Sequence, residues 1–162
     1  MEKFSIVNGS IITADGIIKG GQIVIEGDKI IAVNERVEEV SNAQLIDAKG
    51  NYISPGFIDI HVHGGGGYDF MDGTEEAFLS IAKLHATYGT TAMLPTTLSG
   101  SRDELIQTLE SYKKAYTKNT LGAQFLGMHL EGPYFAMNQR GAQDPKYIRN
   151  PDPTEYESIV RD

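Results

Sequence analysis

The chain has no cysteine and no tryptophan among its 162 residues, and it has only four histidines. The lack of cysteine excludes a disulfide framework, so any metal must be bound by histidine or carboxylate side chains. Basic side chains are also scarce, with 14 against 22 acidic ones and a formal net charge of -8. This balance disfavours binding to nucleic acid or to an anionic membrane. We therefore expect a small-molecule or protein partner.

Long hydrophobic runs are absent as well. No apolar stretch approaches the ~20 residues that span a bilayer, and the N-terminus lacks the basic and apolar regions of a signal peptide. Together with the missing cysteine, these features lead us to expect a cytoplasmic protein. Hydrophobic residues at 40% and charged residues at 22% are typical of a folded globular chain.

The first third of the chain contains short β-branched runs separated by turn signals. These signals are Asn8-Gly9, Asp15-Gly16, Gly20-Gly21 and Glu26-Gly27-Asp28. Their spacing predicts hairpins, with strands at residues 22–26 and 29–33 and a further strand at residues 44–47. A turn at residues 48–51 ends the pattern, so we predict a small β module over residues 1–52.

From residue 53 onward the pattern alternates strand and helix, which indicates parallel βα units. The predicted strands are Ile53 to His63, Thr90 to Pro95 and Gly122 to Leu130. A first helix begins after Thr74, a second begins at Ser101 with Glu104 completing a capping box, and a third begins near Thr154. We predict a second domain over residues 53–162.

Two histidines stand at the end of the first predicted strand of this domain. Because side chains alternate along a strand, Asp59, His61 and His63 share one face and the apolar residues between them point towards the helices. Two imidazoles two residues apart at the carboxyl end of a barrel strand can bind one metal ion. A pair of solvent-facing or packed histidines explains the motif about equally well.

The third predicted strand ends on a carboxylate. The same alternation puts His129 and Glu131 on one face, so Glu131 ends its strand as His63 ends the first. A carboxylate at that place can bridge two metal ions. An isolated glutamate at a strand end is more often a surface residue, and His129 fits a packed, hydrogen-bonded histidine better than a metal ligand.

Three segments carry a resemblance to a known family: residues 55–72, residues 129–135 and residues 140–143. On these segments the sequence resembles the amidohydrolase superfamily and, within it, the N-acetylglucosamine-6-phosphate deacetylases. The resemblance implies an α/β fold, with a small β-sandwich module followed by the N-terminal part of a metal-dependent hydrolase TIM (β/α)8 barrel. A complete barrel needs about 250 residues. The resemblance therefore implies that the family's catalytic aspartate and its two further histidine ligands follow residue 162, and we assign no catalytic residue within this chain.

The resemblance also implies a site and a reaction. His61, His63 and Glu131 match the family's metal ligands, for one or two divalent ions, with zinc first and iron, manganese or cobalt as alternatives. Ala142 and Gln143 match the segment that contacts substrate. The implied reaction is hydrolysis of N-acetylglucosamine 6-phosphate to glucosamine 6-phosphate and acetate.

The sequence leaves the residues that bind the phosphate open. Arg140 and Lys146 are the nearby cations of this chain, and the family also draws phosphate contacts from a neighbouring subunit, which implies a homodimer. Two alternatives stay open. The chain is an inactive N-terminal fragment that needs a complementing chain, or it belongs to another amidohydrolase, such as a dihydroorotase-like enzyme or a deaminase.

Overall fold

The computed structural model of the chain describes residues 1–161, so the last residue of the predicted second domain lies outside the described residues. The chain divides into two compact units, the first Met1–Pro55 and the second beginning at Gly56. Helices and parallel strands of the second unit give the chain an α/β fold. Within residues 1–161, no helix has the length and apolar character needed to cross a membrane.

The first unit consists of seven strands. They are β1 (Lys3–Val7), β2 (Ser10–Thr13), β3 (Gly16–Lys19), β4 (Gln22–Glu26), β5 (Lys29–Asn34), β6 (Gln44–Asp47) and β7 (Tyr52–Ile53). One sheet has the order β5-β4-β1-β6 and the other the order β3-β2-β7. The antiparallel pairs β2 with β3 and β4 with β5 confirm the hairpins predicted at Asp15-Gly16 and Glu26-Gly27-Asp28.

Two of the four predicted hairpins are wrong. The turns at Asn8-Gly9 and Gly20-Gly21 carry the chain from one sheet to the other, and the Gly20 N–H donates to the Gly9 carbonyl at 3.0 Å. The strands beside these turns pair in parallel with later segments, β1 with β6 and β2 with β7. A turn signal reports only the local change of direction, so it does not reveal which distant strand becomes the partner.

The second unit contains the predicted alternation of strands and helices. Its strands are β8 (Phe57–Val62), β9 (Gly64–Gly65), β10 (Tyr68–Asp69), β11 (Thr90–Pro95) and β12 (Gln124–Phe125), and its helices are α1 (Glu75–Thr87), α2 (Arg102–Lys118) and α3 (Pro153–Arg161). Strands β8, β11 and β12 form one parallel sheet in the order β12-β11-β8. Helix α1 connects β8 to β11 and α2 connects β11 to β12. Parallel neighbours joined through helices are βα units.

The helix boundaries follow the predicted caps. The Thr74 hydroxyl accepts from the Ala77 N–H at 3.2 Å, and Ser101 with Glu104 forms the expected capping box at the start of α2. The helices and the sheet enclose one apolar cluster, whose members are Phe70, Phe78, Ile81, Ala82, Met93, Ala115, Ala123 and Phe125.

The predicted strand from Ile53 to His63 is two strands in the structure. Tyr52–Ile53 pairs with β2 in the first unit, whereas β8 begins only at Phe57. Pro55 has no N–H for a strand ladder. At Gly56 the backbone lies so close to Thr91 that a Cβ would be 2.0 Å from the threonine methyl group, so only glycine fits there. The chain leaves one sheet and enters the other at this proline and glycine.

The third predicted strand is regular over two residues only. Beyond Phe125 the chain still follows β11, because the Leu126 N–H donates to the Met93 carbonyl at 3.0 Å and the His129 N–H donates to the Pro95 carbonyl at 2.9 Å. Gly127 interrupts the regular strand with a φ of 150°, which side-chain-bearing residues rarely adopt. The prediction of a third strand is therefore confirmed, since this segment runs beside β11, but the regular strand is shorter than predicted.

The outer face of β8 is only partly covered by helix. Val62 packs against the apolar cluster as predicted, but Ile58 is 62% exposed and Ile60 is 65% exposed. Helix α1 packs against β11, the neighbouring strand. The expectation that every apolar residue of this strand meets a helix is thus wrong at Ile58 and Ile60.

Candidate metal centre

The two predicted histidine ligands lie where β8 ends. Their Nε2 atoms are 3.2 Å apart, which confirms that alternation along the strand brings both imidazoles to one face. The Asp59 carboxylate accepts from the backbone N–H of His61 at 3.1 Å, so it fixes the strand end rather than an imidazole ring. Both rings are partly exposed at the carboxyl edge of the sheet.

The orientation of His63 is set by the end of the neighbouring strand. Its Nδ1 lies 3.3 Å from the Thr96 carbonyl oxygen. A carbonyl only accepts, so in this contact Nδ1 is the donor, and in a neutral imidazole Nε2 then has the lone pair that binds a metal. A metal-binding imidazole commonly has such a backbone partner behind it.

Thr96 also joins the two strands directly. Its backbone N–H donates to the Val62 carbonyl at 2.9 Å, and its buried hydroxyl accepts from the Val62 N–H at 3.0 Å. Val62 lies between the two histidines in sequence, so these bonds hold the backbone that carries both imidazoles. The sequence interpretation assigned no role to Thr96, although a polar residue directly after a buried parallel strand is a signal for this edge of the sheet.

Glu131 enters the same space from the third strand segment. Its backbone N–H donates to the hydroxyl of Thr97 at 3.2 Å, and the Thr97 N–H donates to the His129 carbonyl at 3.0 Å. Its Oε2 lies 3.1 Å from the Nε2 atoms of both His61 and His63. Thr96 and Thr97 thus connect all three predicted ligands through one buried segment.

The three side chains suit a divalent cation. The Oε2 atom of Glu131 is buried without a hydrogen-bond partner, and it faces two imidazole nitrogens. In a tetrahedral zinc site with bonds of about 2.0–2.2 Å, ligand atoms lie about 3.3–3.6 Å apart, close to the separations here. Among the described residues, these three form the one group of histidine and carboxylate ligands, with atoms within 4.8 Å of one another.

His129 is close to this group without joining it. Its Nδ1 lies 3.1 Å from the Ile60 carbonyl oxygen, and its ring meets the ring of His61 edge to face at a centroid distance of 4.6 Å. These contacts confirm the interpretation of His129 as a packed, hydrogen-bonded histidine. It supports the ring of His61 from the side.

The two residues predicted to bind substrate occupy different environments. Gln143 is buried, and its side-chain oxygen accepts from the Ser99 backbone N–H at 2.8 Å, whereas Ala142 is exposed. No hydrogen bond joins either residue to the three-ligand group among the described contacts. The structure gives Gln143 a bond to the segment that follows Thr97, and a substrate role for both residues stays a prediction.

The two cations near the predicted substrate segment, Arg140 and Lys146, have local partners. Arg140 donates to the Met137 carbonyl at 3.1 Å. Lys146 forms an ion pair with Asp144 at 3.2 Å and lies over the ring of Tyr147. Nearby contacts raise the pKa of Lys146, first the hydrogen bond with Tyr147 and then the one with Asp144, so its ammonium group is charged over a wider pH range than usual.

Known proteins resemble this chain along most of its length. Residues 52–162 match the model of the amidohydrolase family. An N-acetylglucosamine-6-phosphate deacetylase of Bacillus subtilis is 34% identical over 155 residues, which are 93% of this chain and 39% of the relative. An N-acetylgalactosamine-6-phosphate deacetylase of Escherichia coli O157:H7 is 29% identical over 93% of this chain and 38% of the relative.

A solved structure adds the same resemblance in three dimensions. The crystal structure of N-acetylglucosamine-6-phosphate deacetylase from Pasteurella multocida superposes with a TM-score of 0.88 at 31% identity, over 98% of this chain and 42% of that one. The chain therefore spans about two fifths of the length of the relatives it matches. Because the family model covers more than half of the chain, the chain belongs to the amidohydrolase family.

Proposed function

We propose that this chain supplies His61, His63 and Glu131 to the metal centre of an N-acetylglucosamine-6-phosphate deacetylase. The observation that carries the proposal is the convergence of three ligand atoms from two separate strand ends, with the Glu131 oxygen 3.1 Å from both imidazole nitrogens. We further propose that residues 53–162 are the first three βα units of a (β/α)8 barrel and that residues 1–52 belong to a β-sandwich. Active sites of such barrels lie at the carboxyl ends of the strands, as this group does.

The reaction is hydrolysis of the acetamide of N-acetylglucosamine 6-phosphate, which gives glucosamine 6-phosphate and acetate. A bound divalent metal supplies Lewis-acid activation of water and of the amide carbonyl. The residues of this chain hold and orient the site: the Thr96 carbonyl orients the ring of His63, and the Thr97 hydroxyl fixes the backbone of Glu131. We place no proton-transferring residue in this chain.

The remaining parts of the proposal concern ligands and partners. Imidazole and carboxylate ligands suit zinc, and they also suit iron, manganese or cobalt, for one or two ions. Ala142 and Gln143 are proposed substrate contacts, and Arg140 and Lys146 are proposed phosphate contacts. A homodimer and a cytoplasmic location complete the proposal.

Acetate release tests this function. The protein that carries this chain, loaded with Zn²⁺, is incubated with N-acetylglucosamine 6-phosphate, with its C4 epimer N-acetylgalactosamine 6-phosphate, and with dihydroorotate. We expect acetate from the glucosamine derivative and a smaller rate with the epimer. Glu131→Gln should abolish release, whereas Glu110→Gln should leave it intact, because Glu110 lies on α2 and pairs only with Lys113 among the described contacts.

Three other results would contradict the proposal. A faster reaction with the C4 epimer would reassign the substrate to the galactosamine series, and turnover of dihydroorotate without acetate release would reassign the protein to another branch of the family. Acetate release by the 162-residue chain alone, verified by its intact mass, would show that no additional segment is needed for catalysis.

A further inference from the structure

The segment after Glu131 has little regular structure of its own. Between Glu131 and α3 it contains only two short 3-10 turns, at Met137–Gln139 and Pro145–Tyr147. A segment of this kind keeps its position mainly through side-chain bonds. Arg149, near the end of this segment, makes several of the side-chain hydrogen bonds that join the segment to other parts of the chain.

Arg149 bonds the two segments that follow the strand ends, one at Gly100 after β11 and one at Pro133 after Glu131. Its Nη1 donates to the Gly100 carbonyl at 3.1 Å and to the Tyr147 carbonyl at 3.0 Å, and its backbone N–H donates to the Pro133 carbonyl at 3.3 Å. Gly100 lies three residues after Thr97, which bonds Glu131. Pro133 lies two residues after Glu131 itself. One side chain and its backbone therefore fix both segments that determine where Glu131 lies.

A second edge of the guanidinium group is paired with a carboxylate. Nε of Arg149 donates to Glu155 Oε2 at 3.0 Å, and Nη2 donates to Glu155 Oε1. Glu155 is only 9% exposed, and its hydrogen bond to Arg149 lowers its pKa, so the pair is ionised at neutral pH. A two-point pair of this kind fixes direction as well as distance.

Tyr134 extends the same cluster towards the site. Its hydroxyl donates to Glu155 Oε2 at 2.9 Å, and Tyr134 is only three residues after Glu131. Burial, followed by the hydrogen bond to Glu155, raises the pKa of Tyr134 to about 12, so the hydroxyl keeps its proton and continues to donate. The turn that follows Glu131 is thus held before it by the bond between Glu131 and Thr97 and after it by the bond between Tyr134 and Glu155.

We propose that Arg149, with Glu155 and Tyr134, is a positioning group for the metal ligand Glu131. The inference rests on the proposed metal centre. It differs from a plain stabilising ion pair, because the side chain of Arg149 also bonds Gly100, which lies outside helix α3, and its backbone bonds Pro133. Lysine in place of arginine keeps the charge but loses the planar fork and its several donors.

The test measures Co²⁺ affinity by visible absorption on the protein that carries this chain, together with kcat and KM for acetate release and the melting temperature. Arg149→Lys should weaken Co²⁺ binding by about tenfold, since loss of a group behind a metal ligand typically costs about 10- to 100-fold. We expect kcat to fall while KM changes less than twofold. Tyr134→Phe should show a smaller loss in the same direction, about threefold.

Arg102→Lys is the matched control. Like Arg149, Arg102 bonds a side chain of α3, by donating to the Ser158 hydroxyl at 3.3 Å, but it makes no bond to the segment after Glu131 among the described contacts. It should leave Co²⁺ affinity and kcat unchanged. If Arg149→Lys lowers only the melting temperature, with Co²⁺ affinity and kcat intact, the positioning role is refuted.

Three further outcomes are distinguishable. If Arg149→Lys does not fold, Tyr134→Phe decides: unchanged Co²⁺ affinity in that variant overturns the inference. If the unchanged protein binds no Co²⁺, the proposed metal centre fails and the positioning role fails with it. Binding by the unchanged protein with no effect of either variant refutes the positioning role alone.

Discussion

The carboxyl edge of the sheet β12-β11-β8 is held by buried, hydrogen-bonded residues, whereas the outer face of its strand β8 is largely exposed. At the edge, Thr96 and Thr97 are buried and hydrogen-bond to the backbone or side chains of the segments that carry all three ligands. On the outer face, Ile58 and Ile60 are more than half exposed. Bonds between the strand ends therefore hold the backbone of the candidate site in a sheet whose outer face is exposed at Ile58 and Ile60.

The largest effect should come from the apolar cluster that supports the sheet. Phe78 is fully buried and its ring packs against Phe70 and Phe125. Phe78→Ala should lower the free energy of unfolding by about 3–5 kcal/mol, because the removed ring leaves a cavity. Urea denaturation followed by circular dichroism measures this change. A loss below 1 kcal/mol would show that α1 is not packed on the sheet as described.

A medium effect is expected at the bonded edge. Thr96→Val keeps the shape of the side chain but leaves the Val62 N–H without its hydroxyl acceptor, at a cost of about 1–3 kcal/mol. Thr117→Val is the control, because the Thr117 hydroxyl donates to the Lys114 carbonyl on an exposed part of α2. Equal effects of the two variants in the same denaturation assay would break the contrast between the edge and the surface.

The pH dependence of stability should distinguish the partly buried pair Arg149–Glu155 from the surface ion pair Lys113–Glu110. Arg149 lowers the pKa of Glu155, so the stability from this pair is present above the usual glutamate pKa of 4.5. It is lost as the pH falls through the lowered value in the folded state. Glu155→Gln should flatten the acid limb of the unfolding profile and Glu110→Gln should not; identical profiles would contradict this reading.

The smallest effect is expected on the exposed face of β8. Ile60→Ala removes a side chain that is 65% exposed, and surface changes usually alter stability by less than about 0.5 kcal/mol. The denaturation midpoint of the variant should match that of the unchanged chain. A loss of more than 2 kcal/mol would mean that this face is covered in solution, for instance by a second chain.

Local rules predicted where the side chains of the candidate site lie, whereas the family resemblance supplied their interpretation as metal ligands. Alternation along one strand places His61 and His63 together, and the same rule applied to residues 129–131 brings Glu131 to the same edge. The caps at Thr74 and Ser101 likewise follow from adjacent residues. Each of these predictions needed only a few neighbouring positions.

The rest depended on distant contacts. The break between Tyr52–Ile53 and β8 arises where Gly56 packs on Thr91, a residue 35 positions later. The sheet change at Asn8-Gly9 depends on pairing with residues 44–47. The position of Thr96 directly after a buried strand predicts its place at this edge, but the bonding partners of Thr96 and Arg149 become visible only in the structure.

Anomalous X-ray diffraction from Zn²⁺-soaked crystals of the protein that carries this chain is the most direct test of the candidate metal centre. We expect an anomalous peak within about 2.0–2.2 Å of the Nε2 atoms of His61 and His63 and of a carboxylate oxygen of Glu131. The peak should disappear in the His61→Ala, His63→Ala double variant. A peak elsewhere in the molecule, or none between these three side chains, would contradict the account.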